Sequence, residues 1–171
     1  KVGGGKHAMK AYKPQNLDEL KLILSEVGDN TSFIAGGTDW IINNRFREKP
    51  LDCLIYLGQI LEMKCIEKRK GELFIGAVCT MTDLENHPLL TKEYLAIAEA
   101  ASSMGSRQVR NRATIGGNIA NASPASDLSA PLMCLGASVY ILQNSMIKKI
   151  PIEKFFIGAD KTLLNQKDVV I

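Results

Sequence analysis

Histidine is nearly missing from this chain: only His7 and His87 occur in 171 residues, so a histidine-built metal site or a Ser-His-Asp triad has almost no material. Cysteine is sparse as well. Cys53, Cys65, Cys79 and Cys134 show no Cys-x-x-Cys spacing, so neither a structural zinc nor an iron–sulfur cluster can be read from them; reduced, buried thiols are expected. No run of residues approaches the ~20 apolar positions of a membrane helix, although 46% of the chain is hydrophobic. A charge excess is lacking too, since 21 Lys and Arg against 18 Asp and Glu leave a net charge of +3. With both signs interspersed, the chain offers no basic stripe for nucleic acid and no patch for a membrane. Lys68-Arg69-Lys70 is a short exception and reads as a solvated hairpin tip. No stretch reads as a secretory signal, so a cytoplasmic location is expected, and the glycosylation patterns at Asn30 and Asn121 carry no weight.

The length suits one domain or two small lobes with room for a core. Residues 1–8 are Gly-rich and basic ahead of Met9 and are expected to be an added tail foreign to the native chain. Gly3-Gly4-Gly5-Lys6 resembles a phosphate loop only superficially, because no strand precedes it and His7 stands where a hydroxyl should bind magnesium. Asn16-Leu-Asp-Glu19 has the form of a capping box, and Leu17, Leu20, Leu24 and Val27 keep helical spacing until Gly28. A strand over Thr31 to Ala35, a helix over Thr38 to Arg47 and a strand over Cys53 to Leu57 follow. Two strands about a Lys-Gly turn come next, then a short helix capped at Thr82 and broken near Pro88, and an Ala-rich helix from Tyr94 to Ser103 that ends at Gly105. Ser126 to Leu135 reads as a helix with Pro131 near its first turn, and Ala137 to Ile150 as a hairpin about Asn144. Strands and helices alternate without the regular period of a doubly wound sheet, so an α+β fold of two lobes dividing near Leu57 to Leu61 is expected.

The chain is organised around Gln108 to Leu128, where a glycine pair and several Asn, Asp, Ser and Pro residues separate short apolar patches. That composition predicts a shaped loop rather than a regular helix or strand throughout. Gly116-Gly117 lets backbone approach a ligand closely, and Thr114, Asn118, Asn121, Ser123 and Asp127 can surround it with donors and acceptors. A second glycine pair stands upstream in Ile34-Ala35-Gly36-Gly37-Thr38-Asp39-Trp40, again after an apolar run. A helix start beside such a loop is an anion site, since unpaired N–H groups point outward there. Two such loops suit a pyrophosphate better than a terminal phosphate.

Ala35-Gly36-Gly37-Thr38-Asp39, followed by the run from Ala113 to Pro124 and by Asp127-Leu128, resembles the FAD-binding (medium) subunit of molybdopterin dehydrogenases of the xanthine dehydrogenase and carbon monoxide dehydrogenase type. The likeness extends from Met9 to Ile171, because Phe155-Phe156-Ile157-Gly158 and Thr162-Leu163-Leu164 resemble the family's segment near the flavin ring. The long second motif is the specific part. The resemblance implies a two-lobed FAD-binding fold of the PCMH (vanillyl-alcohol oxidase-like) type, with a small N-terminal α/β lobe over residues 9–57 and a larger mixed-sheet lobe over residues 62–171, the family's C-terminal domain being absent. It also implies FAD as cofactor, held by residues 34–40 together with Thr114, Gly116, Gly117, Asn118, Asn121, Ser123, Asp127, Leu163 and Leu164.

In that picture Gly36, Gly37, Thr38, Gly116 and Gly117 supply donors to the pyrophosphate, Asn121 and Ser123 bond ribityl or phosphate oxygens, and Asp127 accepts from a sugar hydroxyl. A single Gly-Gly pair would read better as a tight turn, and Asp127 can equally cap a helix beside Ser126. Arg107, Arg110 and Arg112 are expected to be solvated, and Trp40 is expected in the core. No catalytic side chain and no metal ligand are expected, because a flavin carries its own chemistry. The implied partners are a molybdopterin-binding large subunit and a [2Fe–2S] small subunit, with NAD as a possible acceptor. Two other readings stay open: a stand-alone flavin oxidoreductase of the same fold, and a non-catalytic module that has lost its cofactor.

Overall fold

The computed structural model describes residues 9–45 and 50–171. The side chain of Asn16 accepts from the Glu19 N–H at 2.8 Å and starts a helix where the sequence places one. That helix, α1 (Leu17–Glu26), joins β1 (Lys10–Tyr12) to β2 (Thr31–Ile34); α2 (Trp40–Asn44) then leads towards β3 (Cys53–Tyr56). The expected end of α2 at Arg47 falls outside the described residues. β3 lies between β1 and β2 and runs parallel to both. Its alternation puts Cys53 and Ile55 on the face covered by Leu20 of α1. β2 therefore releases residues 35–39 at the carboxyl edge of a parallel sheet, where open α/β sheets form ligand crevices.

A 3₁₀ turn at Leu61–Met63 leads into the hairpin of β4 (Ile66–Arg69) and β5 (Glu72–Ile75). Lys70 and Gly71 both have positive φ, 50° and 87°, which is the turn geometry whose twist matches a two-residue hairpin. Five helices follow: α3 (Met81–Asn86), α4 (Pro88–Glu93), α5 (Leu95–Ser103), α6 (Arg107–Arg110) and α7 (Ile115–Asn121). The cap of α3 is Thr80, not Thr82: Thr80 and Asp83 bond each other's backbone N–H, while the Thr82 hydroxyl turns to Asn111.

The stretch read as one shaped loop is in fact two short helices and a turn. Glycine in a helix costs about 1 kcal/mol against alanine, yet α7 forms around Gly116 and Gly117. Thr114 caps it, accepting from the Gly117 N–H at 3.2 Å, and Ile115 and Ile119 are buried. Burying two such side chains is worth roughly 1.5–3 kcal/mol each, which outweighs the local propensity.

α8 (Ser129–Cys134) is shorter than the expected helix and places Pro131 in its first turn. β6 (Ser138–Gln143) and β7 (Met146–Pro151) pair antiparallel about Asn144 and Ser145, again with positive φ. After α9 (Ile152–Phe155) come the pair β8 (Phe156–Gly158) and β9 (Lys161–Thr162), and β10 (Val169–Val170) adds to the free edge of β6. One apolar cluster packs α3, α4, α5, α7 and α8 on β6 around Phe155. The other joins Leu20 and β3 to Ile60, Met63, Ala77, Val78, Leu142 and Val169. Among the described residues no helix is long and apolar enough to cross a membrane.

Candidate functional site

The two glycine motifs meet across a cleft of about 270 Å³, which Gly36, Gly37 and Gly117 line. One wall is the β2–α2 connection, Ile34 to Trp40 with Asn43 and Asn44; the other is Ala113, Thr114 and the Gly117, Asn118, Ala120 and Asn121 face of α7. These α7 positions are three and four apart and so share one side of the helix, opposite the buried Ile115, Gly116 and Ile119. A larger cavity of about 560 Å³ lies between the β4–β5 hairpin, β6 and α8. It is lined mainly by apolar side chains such as Ile75, Ile97 and Val139 and takes no part of residues 34–40, so the smaller cleft is the candidate site.

The four motif glycines do different work. A Cβ on Gly36 would lie 1.9 Å from the Arg112 carbonyl oxygen, so this residue lets the two walls touch. Gly37 has φ +80°, a conformation that L side chains rarely adopt. Gly116 is turned away from the cleft: its Cβ would meet Ala77 at 2.6 Å, and its N–H donates to the Ala77 carbonyl at 2.9 Å. Gly117 is the exposed one, and a Cβ there would meet nothing but Thr114 Oγ1, at 3.0 Å.

Hydrogen bonding divides the walls in the same way. The start of α7 is laced to residues 77–81 through Gly116 N–H to Ala77, Ile115 N–H to Cys79 and Met81 N–H to Ala113. With Gly117 N–H on Thr114, its first-turn donors are already used. Opposite, the N–H groups of residues 36–39 donate to no protein acceptor among the described residues, although the Gly37 and Asp39 carbonyls accept from Ile41 and Asn43. Backbone donors for an anion thus come from one loop, while α7 contributes the Thr114 hydroxyl and the Asn118 and Asn121 amides. Asp39 is the one ionisable side chain among these lining residues.

Trp40, expected in the core, is half-buried and lines the cleft, its indole N–H donating to Ser32 Oγ at 2.7 Å. A ring with one polar atom settles where that atom finds a partner. Arg110, expected in solvent, pairs with Glu85 at 2.8 Å and also reaches the Met104 and Gly105 carbonyls. It thereby ties down the turn that presents Met104 to the cleft.

Besides Gly116, four expected site residues lie outside the cleft lining. The Ser123 hydroxyl accepts from the Ala125 N–H in a local turn. Asp127 is exposed and caps nothing, because α8 begins after Leu128 without a side-chain cap. Leu163 is exposed and Leu164 packs on the core around Phe155; their segment docks on α7 through the Asp160 N–H to the Ala122 carbonyl at 3.0 Å. Phe33, Asn43, Asn44 and Met104, which line the cleft, escaped the sequence reading. Asn43 follows Trp40 by three residues and could have been found by helical spacing; Met104 arrives from a distant turn and could not.

The thiols are not uniformly buried as expected: Cys134 is exposed and Cys65 half-buried. Cys79 is buried, and desolvation, reinforced by the nearby Asp83 carboxylate, pushes it from 9.0 up to about 12. Cys134 is expected to alkylate readily in the native protein and Cys79 only after unfolding, as peptide mass spectrometry would report. Equal native labelling of the two would overturn the buried placement. Because folding favours the neutral Cys79 thiol, its contribution to stability is complete below pH 9.0 and is lost as pH rises through about 12.

Residues 7–171 match a protein family described as the FAD binding domain in molybdopterin dehydrogenase. Over 150 residues the chain is 36% identical to the nicotinate dehydrogenase FAD-subunit of Eubacterium barkeri, a match covering 86% of this chain and 50% of that protein. It is 29% identical over 160 residues to the carbon monoxide dehydrogenase medium chain of Hydrogenophaga pseudoflava, covering 94% and 56% respectively. A carbon monoxide dehydrogenase structure from the same organism aligns with a TM-score of 0.88 at 28% identity, over 95% of this chain and 56% of the matched one. The chain spans about half the length of the curated relatives it matches.

Proposed function

The chain belongs to the family of FAD binding domains in molybdopterin dehydrogenases, and from that premise we propose that it serves as the FAD-binding electron-transfer unit of a molybdenum-dependent hydroxylase or dehydrogenase. Its partners are a molybdopterin-binding large subunit and a [2Fe–2S] small subunit, its acceptor is a soluble one such as NAD, and its location is the cytoplasm. The observation that carries this reading is the set of uncommitted N–H groups over residues 36–39, facing Thr114, Asn118 and Asn121 across the cleft.

Those groups fit a diphosphate. The cleft is smaller than the ~300–1,000 Å³ that buries a whole drug-sized ligand, which suits the phosphate-bearing middle of a dinucleotide. Four consecutive backbone donors with no protein acceptor would cradle an anion, with no cationic side chain among the described lining residues, and Gly117 keeps the opposite wall free of a Cβ. When bound, the flavin supplies the redox chemistry. The chain's own residues would bind and orient it: the loop N–H groups and the Thr114, Asn118 and Asn121 side chains would hold the phosphates, and Phe33, Trp40 and Met104, which also line the cleft, would keep water from them. Ser123, Asp127, Leu163 and Leu164 are assigned to the remainder of the cofactor on the strength of the resemblance alone.

With Asp39 as the one ionisable side chain among the described lining residues, these residues offer no acid–base pair to activate an organic substrate. The FAD-loaded chain is expected to be reduced by dithionite, followed anaerobically at the flavin absorbance, and to stay oxidised with a purine or an aldehyde. Adding the matching iron–sulfur and molybdenum subunits should restore substrate-dependent reduction. Bleaching by substrate with the chain alone would make it a self-sufficient flavoenzyme and end the relay reading.

A further inference from the structure

We propose that Ser126 is a positioning residue of the cofactor cleft: its hydroxyl fixes the Asn118 amide so that Asn118 meets the ligand as a hydrogen-bond donor. The inference rests on the FAD reading above and concerns a residue that is not itself part of the cleft lining. The Ser126 hydroxyl donates to Asn118 Oδ1 at 2.6 Å. An asparagine amide has one accepting end and one donating end. With Oδ1 held from behind, the Nδ2 group is the end left over, and it donates to no protein acceptor among the described residues.

The bond joins residues eight apart, and the turn between them sets its reach. Ala122 closes α7 in the left-handed conformation at φ 49°, and the Ser126 N–H donates to the Ser123 carbonyl at 3.0 Å. The chain therefore turns back and brings the Ser126 hydroxyl to Asn118. Orientation matters here because an anion accepts hydrogen bonds and repels acceptors. An amide presented by its oxygen would oppose the phosphate, whereas one presented by its nitrogen adds a donor to a site whose described lining residues include no cation. Ser126 acts through Asn118 by removing the wrong orientation before the ligand arrives.

Trp40 is the single tryptophan of the chain and lines the same cleft, so its fluorescence quenching by FAD reads the affinity directly. Ser126→Ala is expected to weaken FAD binding about three- to tenfold, the worth of one ordinary hydrogen bond, without moving the melting temperature of the cofactor-free protein. Ser126→Thr, which keeps the hydroxyl, should restore wild-type affinity. In an Asn118→Ala background Ser126→Ala should have no further effect on affinity. An unchanged affinity in Ser126→Ala, an equal loss in the Asn118→Ala background, or a lowered melting temperature that Ser126→Thr does not rescue would each overturn the proposal. A wild-type chain that binds no FAD would instead bring down the cofactor reading, and this inference with it.

Discussion

Gly117→Val is expected to abolish FAD binding while the protein stays folded. Gly117 has no positive φ, so a side chain there strains no backbone. It lies on the exposed face of α7, and an added Cβ would press only on Thr114 Oγ1, at 3.0 Å. Valine is a slightly better helix residue than glycine, by a few tenths of a kcal/mol, so the melting temperature should move by no more than roughly 2 °C. The two γ-carbons would occupy the space between α7 and the loop at residues 36–39. Overpacking on the order of 3 kcal/mol there corresponds to a loss of about 100-fold in affinity or more. Trp40 quenching and a melting curve on the same sample decide the matter. A folded Gly117→Val protein that still binds FAD with wild-type affinity would show that the phosphates do not pass this wall.

Gly36→Ala is expected to do the opposite, with stability lost first and binding as a consequence. The new Cβ would sit 1.9 Å from the Arg112 carbonyl oxygen and 2.7 Å from its carbon, both backbone atoms that cannot swing aside. The walls must part, at about 3 kcal/mol for an overpacked contact, which lowers the melting temperature by roughly 10 °C in a protein of this size. Opening this contact also breaks the cleft, since Gly36 and Ala113 line it together. If Gly36→Ala melted like the wild type, the close approach of loop and helix would not exist in solution. The pair of variants therefore separates a glycine needed for packing from one needed for the ligand, although both belong to Gly-Gly motifs.

Local signals were legible wherever a segment's chemistry decided its own conformation. The Asn16 cap of α1, the Lys70-Gly71 and Asn144 turns, and the strands that flank them follow from hydrogen bonds and φ preferences only a few residues long. The long glycine motif carried the cofactor identity. Its conformation was misread because composition speaks for intrinsic preference, and α7 is held by partners far away in sequence, Ala77 and Cys79 among them. Had Thr114, Gly117, Asn118 and Asn121 been read at helical spacing, their common face would have been visible too. The Thr80 cap was missed by two residues because Thr82 offers the same hydroxyl, and only the Asp83 geometry distinguishes them.

The sequence by itself determined that this chain carries two glycine pairs with a ring of small polar residues, and that no histidine or cysteine set stands ready for metal chemistry. Only the tertiary structure decided what each glycine does. Gly36 and Gly116 are spent on contacts with Arg112 and Ala77, Gly37 on its backbone angle, and an added Cβ on Gly117 would meet Thr114 Oγ1 alone. The tertiary fold likewise decided that the free backbone donors belong to the β2–α2 loop and not to the start of α7, and that Trp40 is wall rather than core. The physical reason is the same in each case. Whether an N–H is free, or a Cβ would find room, depends on atoms brought in from distant segments, and a sequence records the identity of those atoms without their positions.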